Sequence, residues 1–266
     1  MRNTLGGHSS SYVLFGGSIR LRHHEVAGDD IEGMTARTLY RVGAVAAFVV
    51  IGVAILEMVI TFLPGGAAAP TAVTEWFALL QGNWFMGIRN LGLLNIFINV
   101  IGIPTYLALC AAHRDRAGAG YAAIAAILFF TGVAVFLATN KAFPMLALSG
   151  QYAAAATVAD RAIIEAAGAA LLAVGQSHTA GTFLAFFLSE AAGLMISVVM
   201  FTNGVFGKAT ASTGIIGFSL LLLFEVTASF APALFSAFMP VAALGGLLSM
   251  AWYVLIARRL IQLAAS

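Results

Sequence analysis

The chain has 266 residues, of which 61% are hydrophobic and only 9% are charged, and its formal net charge is +2. Soluble domains carry about 25% charged residues, so this composition excludes an ordinary soluble protein and predicts a polytopic membrane protein. The 28 glycines and the abundant alanines favour close packing of helices in lipid. The single cysteine, Cys110, excludes an intramolecular disulfide and any site that needs several cysteines.

The first 40 residues are mostly polar and rich in glycine and serine. Their one short apolar run, 12–15, comes before Arg20 and Arg22, whereas a cleavable signal peptide has its basic residues first. We therefore expect an N-terminal extension over residues 1–40, followed by a membrane domain over residues 41–266.

Six segments are long and apolar enough to cross a bilayer, which takes about 20 such residues. They are residues 42–63, 87–110, 120–139, 179–203, 212–232 and 239–257. The predicted fold class is therefore all-α, a polytopic bundle of six transmembrane helices. Six crossings place both termini on one side, which would hold most of the basic loop residues. The positive-inside rule then predicts that the extension and both termini are cytoplasmic.

Residues 145–177, between spans three and four, interrupt this pattern with an alanine-rich stretch that carries Asp160, Arg161 and Glu165. Charges spaced four residues apart are typical of a solvent-exposed helical face. We expect an extracytoplasmic helical insert here, and a buried or re-entrant segment is the alternative.

Three carboxylates lie within the predicted spans, where an ionisable group is by default a candidate for function. Glu57 and Glu225 lie near the ends of spans one and five, and each is followed by a hydroxyl residue at +4 and a proline at +7. Glu190 lies in the middle of span four, and no cationic partner for it is evident in the sequence.

The second span carries a polar stripe formed by Asn95 and Asn99, with Arg89 at its outer edge. We expect Arg89 to pair with Glu57 or Glu225. The stripe indicates a helix face that is turned away from lipid, and hydrogen bonding across the bundle is the simpler interpretation. A path for a substrate or ion is the alternative. The candidate intramembrane polar site therefore comprises Glu57, Arg89, Asn95, Asn99, Glu190 and Glu225.

The sequence offers no recognisable catalytic or cofactor chemistry. All histidines lie outside the predicted spans or at their ends, so a transmembrane bis-histidine haem site is not expected. Zinc-protease, nucleophile-elbow and phosphate-loop motifs do not occur. We therefore predict no cofactor, no metal and no nucleic-acid partner, and we rank an intramembrane enzyme last among the possible functions.

Five short stretches of the chain resemble a bacterial integral-membrane family, domain of unknown function 4386. They are NIFINVIGIPTY at 95–106, SGQYAAA at 149–155, GAALLA at 168–173, FGKATA at 206–211 and GIIG at 214–217. The resemblance covers roughly residues 40–260. It implies a multi-span protein of the bacterial inner membrane with an extracytoplasmic insert between spans three and four, and it supplies no catalytic residue, substrate or cofactor.

Two classes of function remain open. In the first, which we prefer, the protein is a non-catalytic membrane component: an accessory subunit, assembly partner or sensor whose buried charges are structural. In the second it is a small transporter or channel that uses intramembrane glutamates for proton or cation coupling. The expected surroundings are the lipid bilayer and either a membrane-protein partner or further copies of the same chain.

Overall fold

The computed structural model describes residues 18–62, 70–175 and 177–266, with side chains described within 35–61, 70–175 and 177–266. These residues form α-helices joined by turns, without a strand among them, which confirms the predicted all-α class. The helices are α1 Ser18–Phe62, α2 Val73–Gly82, α3 Trp84–Asn90, α4 Leu93–His113, α5 Ala119–Thr139, α6 Ala142–Ala154, α7 Val158–Ala173, α8 Phe183–Asn203, α9 Lys208–Phe230 and α10 Phe235–Ala265.

Within the described residues, six helical segments are long and apolar enough to cross a membrane, as predicted. By length and composition they make the chain a multi-pass membrane protein. They are Thr35–Thr61, Leu93–His113, Ala119–Ala154, Phe183–Asn203, Lys208–Phe230 and Pro232–Ala265. The third segment contains both α5 and α6, and α5 alone is a span of 21 residues. The first span continues a helix that begins at Ser18, inside the predicted extension, and residues 1–17 of that extension lie outside the described part of the chain.

The second span is shorter than predicted, because it begins at Leu93 and not at residue 87. Residues 84–90 form the separate helix α3, which Asn83 caps by accepting a hydrogen bond from the Met86 N–H. The chain then turns at Gly92, whose φ of +96° suits glycine far better than any other residue. Arg89 therefore lies on α3, before the span, and the prediction that placed it inside the second span was wrong.

The spans form a closed ring. Each of α1, α4, α5, α8, α9 and α10 packs against its neighbour in this order, and α10 packs back against α1. Aromatic side chains fill the interior, with the Tyr106 and Phe129 rings stacked 3.9 Å apart and Trp252 fully buried. Small residues allow the close approach that such packing requires in lipid.

The remaining helices form a second unit, the connector subdomain, which comprises α2, α3, α6 and α7. Its own apolar core includes Trp76, Phe77, Leu80 and Met145. The predicted helical insert corresponds to α6 and α7. Sequence analysis assigned no element to the link between the first two spans, yet α2 and α3 lie there and complete this unit.

Two of the connector helices, α2 and α7, begin with side chains that accept hydrogen bonds from backbone N–H groups. The Glu75 carboxylate accepts hydrogen bonds from the backbone N–H groups of Thr71 at 3.0 Å and Ala72 at 3.2 Å, which lowers the pKa of Glu75. This contribution to stability is present above the usual glutamate pKa and is lost as the pH falls through the lowered value. The Thr157 hydroxyl caps α7 by accepting the Asp160 N–H.

Candidate functional site

A polar cavity of about 470 Å³ lies where the connector subdomain meets the bundle. The end of α1, the start of α4, the end of α5 and the segment before α8 converge there, and we call this the connector end. Its lining residues are Glu57, Thr61, Arg89, Asn90, Leu91, Gly92, Asn95, Phe136, Thr139, Asn140, Lys141, Ser177, His178 and Thr182. Three of the six residues predicted to form a polar site, Glu57, Arg89 and Asn95, therefore share one cavity.

Arg89 and Glu57 form a tight ion pair on one wall of this cavity. Arg89 Nε lies 3.1 Å from Glu57 Oε2, and its terminal nitrogen lies 2.9 Å from Glu57 Oε1. Arg89 also donates to the Glu57 carbonyl, to the Thr61 hydroxyl and to Asn90 Oδ1. Its side chain is only 4% exposed. The expected pairing of Arg89 is thus confirmed for Glu57.

Glu225 has a different partner, which sequence analysis missed. Its Oε2 lies 2.5 Å from His178 Nδ1, and its Oε1 accepts a hydrogen bond from Ser229 at 3.1 Å. Glu225 is fully buried, whereas His178 is partly exposed and lines the cavity. His178 precedes α8 in a turn where its φ is +62°. The predicted span four begins at residue 179, so the prediction places His178 in the loop just before that span.

Glu190 lies close to this pair. It is seven residues after Phe183, the first residue of α8, which is about 10 Å along the helix axis. Its Oε2 is buried and has no hydrogen-bond partner among the described residues. Glu225 is near enough for the two carboxylates to repel each other. The structure therefore places near each other two glutamates that were predicted at different depths.

The two asparagines of the predicted stripe differ in position. Asn95 lines the cavity, whereas Asn99 lies outside its lining and donates to the Asn95 carbonyl at 2.8 Å. A third amide, Asn140, holds the cavity wall together, because its Nδ2 donates to the Leu91 carbonyl and its Oδ1 accepts the Ala142 N–H. The Asn99 side chain therefore finds its hydrogen-bond partner within its own helix and is not part of the cavity.

Lys141 adds a second cation to the cavity lining, and only 7% of the residue is exposed. It precedes the first residue of α6. Unlike that of Arg89, the side chain of Lys141 makes no hydrogen bond or ion pair with any residue that the structure describes, although its backbone carbonyl accepts the Met145 N–H. Sequence analysis did not single out Lys141 as a site residue.

Taken together, His178, Glu225 and Glu190 lead from a polar cavity into a transmembrane helix, an arrangement suited to passing protons. In the described part of the chain, no three His, Cys, Asp or Glu side chains come together as metal ligands would. No protein-family model matches the chain, and no curated protein or solved structure matches it either. A proposal about function therefore depends on the chemistry of these residues.

Proposed function

We propose that the protein is a small proton-coupled transporter in which protons pass between the cavity and the membrane interior along His178, Glu225 and Glu190. One observation carries this proposal: the Glu190 carboxylate is buried in a span without a hydrogen bond to its Oε2, beside a second carboxylate that a histidine links to the cavity. A carboxyl group buried for structure alone is normally hydrogen-bonded or paired, and the Oε2 atom of Glu190 is not.

The chemistry of the three groups supports proton transfer. An ionised carboxylate in a membrane span costs about 2.5 kcal/mol or more, so an unpaired Glu190 favours its neutral, protonated form. Repulsion between Glu190 and Glu225 disfavours the state in which both are ionised. Histidine can accept a proton at one ring nitrogen and release one from the other, which suits His178 to exchange protons with water in the cavity.

The other candidate function, a non-catalytic membrane component, is favoured by the ion pair between Arg89 and Glu57 in the cavity lining. Arg89 and Glu57 satisfy each other and the Thr61 hydroxyl, as expected of a pair whose role is structural. An accessory subunit, assembly partner or sensor needs no more than such pairs. Such a role does not explain why Glu190 Oε2 is buried without a hydrogen-bond partner among the described residues, so we rank transport first.

A proton-flux assay tests the proposal. We expect purified wild-type protein in liposomes to collapse an imposed pH gradient, measured with an entrapped pH-sensitive dye. Glu190→Gln keeps the size and polarity of the side chain but cannot carry a proton, so we expect this variant to lose the flux. Glu165→Gln is the matched control, because Glu165 lies on α7 and bonds Tyr152 at a distance from the relay.

Two results would contradict this mechanism. Wild-type and protein-free liposomes are compared both without added solutes and with small solutes added as possible cargo. If wild-type liposomes hold their pH gradient as well as protein-free liposomes do under both conditions, the transporter proposal fails and the accessory role is favoured. If Glu190→Gln and Glu165→Gln both transport protons at the wild-type rate, transport stands but Glu190 has no part in it. Equal incorporation of each variant is verified by quantitative blotting.

We further propose that the protein lies in the bacterial inner membrane with both termini and the extension 1–40 in the cytoplasm, and that it belongs to the family it resembles. The basic residues support this orientation. Arg37, Arg114, Arg116 and Arg259 gather at the end of the bundle opposite the cavity, where Arg259 Nε donates to the Val205 carbonyl. The connector subdomain and the cavity would then face the extracytoplasmic side.

Cysteine labelling tests this orientation. In a Cys110→Ala background we expect a cysteine at Gly150, on α6, to react with an impermeant thiol reagent in intact cells. A cysteine at Ala117, in the turn between α4 and α5, is expected to react only after the cells are opened. Both positions are exposed, and a side chain at Gly150 meets no neighbouring atom within 4 Å. Labelling of Ala117→Cys but not Gly150→Cys in intact cells would reverse the orientation.

A further inference from the structure

We propose that the cavity at the connector end binds a small organic monoanion and that Lys141 is its charge partner. As a statement about cargo, this inference rests on the proposed transport function. As a statement about binding, it rests on the cavity alone. The ligand class follows from three observations: an unpaired buried lysine, the balance of charge in the lining, and the size and polarity of the cavity.

Lys141 is the first observation. Its side chain lines the cavity and makes no ion pair with any described residue. Only 7% of the residue is exposed. A lysine that is largely buried and faces a cavity without a counter-charge loses much of its hydration, and natural proteins normally offset that cost with an anion. An anion in the cavity would supply the missing partner.

The balance of charge indicates a single negative charge on the ligand. Arg89 is neutralised by Glu57, and the Glu225 carboxylate lies against His178 Nδ1 and the Ser229 hydroxyl. Lys141 therefore leaves one positive charge in the lining. A dianion would exceed that charge, and a cation would be repelled by Lys141.

The start of α6 also favours an anion at the position of Lys141. Lys141 immediately precedes Ala142, the first residue of this 13-residue helix, and the N-terminus of a helix carries a partial positive charge. The Ala142 N–H is already bonded to Asn140 Oδ1 at 3.0 Å. The helix therefore contributes its field to an anion beside Lys141, and the lysine provides the direct contact.

Size and polarity narrow the ligand further. A cavity of about 470 Å³ is typical of sites for small molecules. Its wall presents amides and hydroxyls, among them Asn95, Thr139 and Ser177, and few apolar side chains. Such a wall favours a short carboxylate that carries hydroxyl groups over a fatty acid. Glycerate, a three-carbon hydroxylated carboxylate, is a suitable probe.

Binding of radiolabelled glycerate to the full-length protein in phosphatidylcholine nanodiscs tests the site. We expect saturable binding to wild type and at least about tenfold weaker binding to Lys141→Met, because the charge partner is gone. Lys208→Met, the same change at the start of α9 and outside the cavity lining, should bind like wild type. Excess glycerol, the uncharged analogue, should not compete with glycerate.

Thermal melting provides a second readout that does not depend on transport. Because Lys141 is buried and unpaired, Lys141→Met should melt no lower than wild type when no anion is present. Glycerate should raise the melting temperature of wild type and leave that of Lys141→Met unchanged. A Lys141→Met protein that melts below wild type without ligand would show that Lys141 already has a counter-charge, and the inference would be wrong.

The remaining outcomes separate the site from the function. No glycerate binding to wild type, or equal binding to Lys141→Met, overturns the site even if proton flux is observed. Glycerate binding without any proton flux leaves the site intact and removes the transport function. Addition of phosphatidylglycerol tests the other source of a monoanion, a lipid headgroup, and its competition with glycerate would overturn a soluble ligand in favour of that lipid.

Discussion

Replacement of Arg89 by alanine is expected to destabilise the protein by about 1–3 kcal/mol, less than for a fully buried pair because the Glu57 side chain is 30% exposed. Arg89 binds both carboxylate oxygens of Glu57, the Glu57 carbonyl and the Thr61 hydroxyl. Without it the Glu57 carboxylate loses its only ion pair among the described residues. The hydrogen bonds and the ion pair that connect α1 to α3 through Arg89 would also be lost.

The double variant Arg89→Ala/Glu57→Gln identifies the cause of this loss. Because glutamine carries no charge, it should recover part of the stability that Arg89→Ala removes. Arg161→Ala is the matched control, since Arg161 is exposed on α7 and contacts only the Tyr152 ring and the Ala155 carbonyl. Unfolding of each variant in detergent can be followed by tryptophan fluorescence during heating or titration with denaturant. An Arg89→Ala protein as stable as Arg161→Ala would exclude an energetically important pair.

The second large effect is expected at Gly43, on the seam where α1 meets α4 and α10. A Cβ at this position would overlap the Ala108 side chain and lie 3.1 Å from the Pro104 carbonyl oxygen. The Gly43 carbonyl also accepts a hydrogen bond from Thr105 at 3.1 Å inside the bundle. Gly43→Leu should therefore force the helices apart at a cost of about 1–3 kcal/mol or more.

Gly52 provides a control on the same helix. A Cβ there meets no atom within 4 Å, so Gly52→Leu should leave the melting temperature near that of wild type or raise it, since leucine favours helix more than glycine does. Both variants are compared by thermal melting in the same detergent. Equal loss at the two positions would mean that α1 does not approach α4 as closely as the structure indicates.

Hydropathy alone was sufficient to predict the six spans, because the bilayer requires long apolar helices and little else in this chain satisfies that requirement. The third span shows how well this works, since residues 120–139 were predicted and α5 is Ala119–Thr139. The same signal could not reveal the break before α4. Residues on both sides of Gly92 are apolar, and a single glycine does not disclose the sign of its φ.

The candidate site was predictable only in part. Rarity of charge in a span identified Glu57, Glu190 and Glu225. The depth of Glu57 and Glu225 near the ends of their spans predicted that Arg89 pairs with one of these two. His178 and Lys141 were missed as site residues because they follow helices or precede them, where polar residues are ordinary. Only packing reveals that both are turned into the bundle. The spacing of Asn95 and Asn99 also did not predict that Asn99 would donate a hydrogen bond to the Asn95 carbonyl of its own helix.

The closed ring has a consequence for the order in which the protein assembles. Gly43 on α1 also approaches Leu260 on α10, so the seam that closes the ring joins residues more than 200 positions apart. At roughly 5–20 residues per second, the ribosome completes α10 about 10–40 s after α1. During that interval the small-residue face of α1 is available to other helices of the membrane. Insertion factors that shelter the first helix until the last one arrives would therefore influence the yield of folded protein more than the stability of the finished ring.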